Sequence, residues 1–174
     1  MDAIECLMTR RSVRSFSEKM PDEDTIKTIL AAGMYAPSGM NRQSWHFTVI
    51  TNKEWLTKMS ENIGKVLNRD YHLGYGAPVL IVVSDDKESV HSEKNGACAL
   101  ENMFLAAHAC GLGSCWINQL NDPNVLNNKE CKLMLSEAGI SDSDKIIGSC
   151  AVGFTEGDYP LPKPRQDNII KYYK

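Results

Sequence analysis

Apolar residues recur at helical spacing near the start of the chain, where Ile4, Leu7 and Met8 share one face over residues 2–10. This first predicted helix ends near Arg10. A second starts at Pro21-Asp22 and carries Ile26, Ile29, Leu30 and Met34 on one face. Residues 36–43, Ala36-Pro37-Ser38-Gly39-Met40-Asn41-Arg42-Gln43, have the composition of a loop. A strand follows over residues 45–51, rich in aromatic and β-branched side chains. Residues 52–67 read as an amphipathic helix through Trp55, Leu56, Met59, Ile63 and Leu67, and residues 68–76 as irregular.

Residues 78–83 form a continuous apolar run of strand length, which predicts a central strand. The longest predicted helix covers residues 92–110. It is apolar on most sides, as buried helices are, and Gly111-Leu112-Gly113 ends it. Ser114 to Ile117 should be a strand, residues 123–139 one or two helical segments, and Ile146 to Phe154 another strand. From Asp158 the chain carries Pro160, Pro162 and Pro164 and is expected to be extended, closing on Ile169, Ile170, Tyr172 and Tyr173. Such an apolar tail suits the edge of a neighbouring subunit's sheet. Interleaved helices and strands, with helix in excess, predict an α+β or α/β sandwich. The length, 174 residues, fits one domain over 1–174.

Composition narrows the function classes. The formal charge of -3 argues against a nucleic-acid binder. No apolar run approaches the roughly 18 residues of a membrane span, and the opening Met1-Asp2-Ala3-Ile4-Glu5-Cys6 is unlike a signal sequence. The six cysteines form no C-x-x-C pair, which fits reduced, buried thiols in a cytoplasmic protein. The four histidines have no metal-ligand spacing, so no metal is expected.

Against this acidic background two basic motifs stand at opposite ends of the chain: Arg10-Arg11-Ser12-Val13-Arg14 and Leu161-Pro162-Lys163-Pro164-Arg165. Guanidinium forks, an ammonium and a hydroxyl together are the donor set of an anion cradle such as a phosphate site. Solvated surface charge is the competing reading of the same spacing.

The order of four segments resembles the nitroreductase family of FMN-dependent NAD(P)H oxidoreductases. They are Arg10 to Phe16; Ala36 to Phe47; the long apolar helix running into Gly111-Leu112-Gly113-Ser114-Cys115-Trp116-Ile117; and Val152-Gly153-Phe154 followed by the late basic motif. The resemblance covers nearly the whole chain. It implies a three-layer α/β/α sandwich around a mixed, mostly antiparallel sheet, with the C-terminal tail exchanged between subunits. It also implies a homodimer with FMN at the subunit interface. Carried over residue by residue, Arg10, Arg11, Ser12, Arg14, Lys163 and Arg165 meet the flavin phosphate and polar edge. Arg11 stands apart, because alternate residues of an extended segment face opposite ways. Pro37, Ser38 and Gly39 resemble the loop that the other subunit lays against the flavin ring. Asn41 and Gln43 resemble polar residues near the ring, although Asn41 reads equally as a turn residue. Trp116, Ile117 and Asn118 resemble the stretch passing flavin N5, where the contact is a backbone N–H. Asn68 and Arg69 fall where some relatives meet the pyrimidine edge. The family's Gln-Pro-Trp is Gln43-Ser44-Trp45 here, which leaves that loop less rigid.

The resemblance further implies ping-pong hydride transfer from NADH or NADPH through flavin N5 to a small acceptor such as a nitroaromatic or quinone. Arg14 or Arg10 is the candidate cation beside the reduced ring, and no side chain serves as nucleophile or general base. The competing readings are a flavin-binding sensor or carrier with little turnover, and a reductive-dehalogenase or cofactor-metabolism branch of the same family.

Overall fold

A computed structural model describes residues 1–174. Helices α1 (Ala3–Thr9) and α2 (Glu23–Met34) precede strand β1 (Trp45–Ile50) and helix α3 (Lys53–Leu67). Then come β2 (Val79–Asp86), α4 (Ser92–Ala109) and β3 (Gly113–Ile117). Two short helices, α5 (Pro123–Asn127) and α6 (Lys129–Glu137), lead to β4 (Asp144–Gly153). Side chains mark most of the starts: Asp2, Asp22, Asn52, Asp122 and Asn128 each accept a backbone N–H of the first turn. Asn68 closes α3 in the left-handed conformation, at φ 50°.

The strands form one sheet in the order β1-β2-β4-β3, and every pairing is antiparallel. The mixed character expected of the sheet reduces to a single parallel bridge, Ser12 to Ser114. β2 is the continuous apolar run because both of its faces are covered. Leu80 and Val82 pack with Met59, Ile63, Val125 and Cys131 beneath α3, α5 and α6. Val79, Ile81 and Val83 pack with Ile29, Leu100 and Met103 beneath α2 and α4. The layers are therefore helix, sheet, helix. β2 and β4 run longer than the apolar runs suggest, since their polar ends, Ser84-Asp85-Asp86 and Asp144-Lys145, still pair across the sheet.

Two helical faces point away from these cores. In α1 only Cys6 is buried, while Ile4, Leu7 and Met8 are 54–69% exposed. Met34, predicted on the core face of α2, is exposed as well. The tail beyond Pro160 is almost wholly exposed, forms neither helix nor strand, and bends at Asp167-Asn168. No helix is long and apolar enough to cross a membrane.

α4 lies close on β4 because Gly96 has no side chain. A Cβ there would come within 2.7 Å of Ile147. We expect Gly96→Ala to lower stability by about 1–3 kcal/mol through overpacking, although alanine is the better helix former. A fall in the urea midpoint checks this, and an unchanged or raised midpoint contradicts it.

Candidate functional site

The first basic motif leaves the end of α1 and runs along the free edge of β3. Val13 N–H donates to the Ser114 carbonyl at 2.9 Å, and the Val13 side chain is buried. Gly113 permits this approach, because a Cβ there would stand 2.8 Å from Val13 and 2.9 Å from the Thr155 hydroxyl. Arg10 lies with its guanidinium 5.8 Å from the centre of the Phe104 ring, and its Nε is 3.7 Å from a Glu101 carboxylate oxygen. Arg14 stands over Tyr75 at 5.9 Å. Both arginine–ring distances fall within cation–π range. Trp116, on β3, lies against the backbone of Gly148 and 6.0 Å from Phe104, with 39% of its surface exposed. Ile117 is buried and Asn118 exposed at the strand's end.

Arg11 is committed elsewhere. Its Nη1 donates to the carbonyls of Met8 at 2.8 Å and Arg10 at 2.6 Å, so the side chain covers the C-terminal end of α1. That departs from the flavin-contact role the family pattern suggested for it. The cause is the geometry of a short extended segment: Arg10, Ser12 and Arg14 share one parity and Arg11 the other.

The far end of the chain returns to the same edge. After β4, Ser17 N–H bonds the Phe154 carbonyl at 2.9 Å, Phe16 bridges Thr155, and Glu156 N–H bonds the Ser15 carbonyl at 3.0 Å. The run ends where Arg11 N–H donates to the Tyr159 hydroxyl at 2.8 Å. The stretch that leads into the second basic motif is thus held against the segment that carries the first. Lys163 and Arg165 lie beyond Tyr159, exposed and without an ion-pair partner in this chain.

The Pro37–Gln43 loop is held at the opposite end of α4. Gly39 N–H donates to Asn95 Oδ1 at 2.9 Å, and a Cβ on Gly39 would strike His91 at 2.4 Å. Ser38 Oγ accepts Gln43 N–H at 3.1 Å, and Gln43 Nε2 donates to Asn41 Oδ1 at 2.9 Å. Met40, Asn41 and Gln43 all adopt left-handed φ values, 54°, 52° and 49°. Strain of that kind costs on the order of 1–3 kcal/mol per residue and collects at functional loops. Asn95 and Phe104 are separated by about 13 Å along the α4 axis. Within one chain, this loop and the Arg10–Ser12–Arg14 edge therefore do not meet. Asn68 and Arg69 line an open cleft of about 820 Å³ with Tyr71 and His72, and the Arg69 guanidinium lies 5.8 Å from the centre of the Tyr71 ring.

The electrostatics favour a held anion over a thiol nucleophile. Burial pushes the Cys115 thiol up, against the opposing pull of Arg14, the Ser12 hydrogen bond and Arg10. Burial raises Cys150 and Tyr71 as well, so these groups stay neutral. The buried Ser114 hydroxyl, beside Ser12, has no hydrogen-bond partner. Two guanidinium groups, two hydroxyls and an exposed flat indole are a donor set suited to a phosphate joined to a ring.

The nitroreductase family profile matches residues 7–72 and 67–154. The chain belongs to the nitroreductase family. A nitroreductase with bound FMN from Bacteroides fragilis is 33% identical, covers 100% of both chains and superposes with a TM-score of 0.91. An Archaeoglobus fulgidus protein named "Putative NADH dehydrogenase/NAD(P)H nitroreductase" is 34% identical over 122 residues, which are 67% of this chain and 67% of that protein. An iodotyrosine deiodinase from Thermotoga neapolitana is 29% identical, with 94% of this chain and 93% of that one aligned. The nitroreductase fold accounts for the three layers and the antiparallel sheet.

Several residues at the site escaped the sequence reading. Asn95 ends a polar run and Glu101 adjoins Asn102, so neither stood out; His108 is a lone polar residue among alanines, and Tyr159 precedes the proline-rich motif. His108 meets Thr9 Oγ1 at 2.8 Å and the Tyr159 hydroxyl at 3.0 Å. Burial depresses its pKa, and Arg10 and Arg11 add to the effect against Glu5. A histidine held neutral in the fold contributes stability that is complete above the ordinary imidazole pKa, about 6.5. That contribution is lost as pH falls below this value, because the unfolded chain takes up a proton the native state refuses. We expect the urea midpoint to fall between about pH 7 and pH 5, and more steeply than in His108→Gln. Parallel slopes for the two proteins would remove the assignment.

Proposed function

We propose that this chain is an FMN-dependent oxidoreductase that passes hydride from NADH or NADPH to a small acceptor such as a nitroaromatic or quinone. The two substrates take turns at one place, and the working unit is a homodimer. The observation that carries the reading is the course of the first basic segment along the edge of β3, with Arg10, Ser12 and Arg14 on one parity and the far end of the chain held against it as far as Tyr159. Arg10, Ser12 and Arg14 would hold the phosphate end, joined by Lys163 and Arg165 from a tail. Pro37, Ser38, Gly39, Asn41 and Gln43 would come to the ring from a second copy. Trp116, Ile117 and Asn118 would border the ring on the strand side. Arg11 serves the end of α1 instead.

Distance supports the dimer. A loop fixed at one end of α4 and a basic edge fixed near the other would give each chain half a site. The exposed Ile4, Leu7 and Met8 of α1, together with Ile169, Ile170, Tyr172 and Tyr173 of the tail, supply apolar surface for a second copy to cover.

FMN, when bound, supplies the hydride-accepting and hydride-donating N5. The chain's own residues bind and orient. Arg10 and Arg14 place fixed positive charge where negative charge must be held, and the phenyl and phenol rings beneath them keep the guanidinium groups from full hydration. The neutral thiols of Cys115 and Cys150 leave the strand without a competing nucleophile.

A second reading has one observation in its favour: the iodotyrosine deiodinase relative aligns over nearly the whole chain. Reductive dehalogenation would use the same cofactor and a different acceptor. Steady-state turnover with nitroaromatic, quinone and halotyrosine acceptors separates the readings. An FMN carrier would show none of the three.

Purified protein is expected to be yellow and to bleach anaerobically on addition of NADH or NADPH. A colourless preparation that takes up no added FMN would sink the proposal. Arg10→Ala should weaken FMN binding by about ten- to a hundredfold, the worth of one charge-assisted hydrogen bond, and leave the urea midpoint near that of the parent. Equal FMN affinity in the two proteins would withdraw Arg10 from the phosphate.

A further inference from the structure

The antiparallel run between the chain's two ends stops at a closed chain of hydrogen bonds that joins four elements. Arg11 N–H donates to the Tyr159 hydroxyl at 2.8 Å, and that hydroxyl lies 3.0 Å from His108 Nδ1. His108 Nε2 lies 2.8 Å from Thr9 Oγ1, which donates to the Glu5 carbonyl at 2.6 Å. The Tyr159 and His108 rings are stacked, with centroids 5.2 Å apart. One proton arrangement satisfies every member: tyrosine donates to Nδ1, and a neutral imidazole donates from Nε2 to the threonine. The reverse arrangement leaves the tyrosine proton only the Arg11 carbonyl, at 3.4 Å. The chain starts in α1, crosses the last turn of α4, and ends on the backbone between Arg10 and Ser12.

We propose that Tyr159 is a positioning residue for the anion-binding edge: its hydroxyl, aimed by His108, fixes the Arg11 amide and so the spacing of Arg10 and Ser12 toward a phosphate. This rests on the phosphate reading of that edge given above. Tyr159 also anchors the tail. Lys163 follows four residues later and can lie at most about 14 Å from it. One hydroxyl therefore sets the register of the first basic motif and the starting point of the second. The other polar groups in reach have different engagements: Arg11's guanidinium covers α1, and Glu101 faces Arg10.

The test compares FMN with riboflavin, which has the same ring and no phosphate. Tyr159→Phe keeps the ring stack and removes the hydroxyl. It should weaken FMN binding about three- to tenfold, the worth of one neutral hydrogen bond, and leave riboflavin binding unchanged. His108→Phe should do the same, and the double variant should cost no more than either single one, because both act through one chain of bonds. An unchanged FMN affinity in Tyr159→Phe overturns the proposal. So does an equal loss for FMN and riboflavin, which would make Tyr159 a general packing residue. Additive losses in the double variant would separate Tyr159 from His108 and overturn the aiming role. A wild-type protein that does not prefer FMN to riboflavin fails at the phosphate reading itself, and the positioning role falls with it.

Discussion

The contact between Val13 and Gly113 governs where everything else at this edge can be. β3 is an edge strand, and an edge strand exposes unpaired backbone groups that must be covered. The segment after α1 covers it, with one bridge at Ser12 and one hydrogen bond from Val13. The fit is tight enough that a methyl group on Gly113 would overlap both Val13 and Thr155. Burying the Val13 side chain is worth about 1.5–3 kcal/mol, so the segment is held by packing as well as by pairing. Val13 points inward. Ser12 and Arg14 therefore flank it with the opposite parity, and Arg10 joins them.

The second constraint lies in the loop. Three residues of Pro37–Gln43 take left-handed backbone angles without being glycine. Such a shape persists only where neighbours over-determine it. Here the neighbours are Asn95, which accepts the Gly39 amide, and the internal bonds through Ser38 and Asn41. Asn95 is in turn bonded to the fully buried Asp85 at the end of β2, at 3.3 Å. A loop fastened to the sheet in this way keeps its shape without help from a ligand. α4 thus has two tasks, the loop at its N-terminal end and Arg10 near its C-terminal half, and its length keeps them apart.

Much of this was legible in the residues, and the rest was not for definite reasons. Helices and the central strand declared themselves through period and through Val79-Leu80-Ile81-Val82-Val83. Helix ends were legible because Asp22, Asn52 and Gly111 are strong local signals. The outward turn of Ile4, Leu7 and Met8 was not, because periodicity gives a face without saying what it meets. The pairing of residues 15–17 with 154–156 is long-range and leaves no mark on composition. Arg11 was separable from Arg10 by parity alone, and its hydrogen bonds to α1 supply the reason. His108 and Tyr159 were not legible as a pair: each is unremarkable alone, and 50 intervening residues hide a 3.0 Å contact.

The opposing carboxylate at Arg10 decides whether this edge can take an anion at all. Glu101 is 49% exposed and its oxygen lies 3.7 Å from Nε, beyond good hydrogen-bond distance. A pair that exposed is worth about 0.2–1 kcal/mol. A charge-assisted hydrogen bond from the same guanidinium to a phosphate is worth about 1.5–3 kcal/mol. On the proposed reading, a phosphate would win that competition. Glu101 then acts as a weak placeholder that keeps Arg10 over Phe104 while leaving its fork free to turn. A tighter acid pair would have neutralised the arginine, and an apolar residue in place of Glu101 would have left it free to swing into solvent. The isolated acid in the middle of an apolar helix is thereby accounted for by charge, with no demand for catalysis.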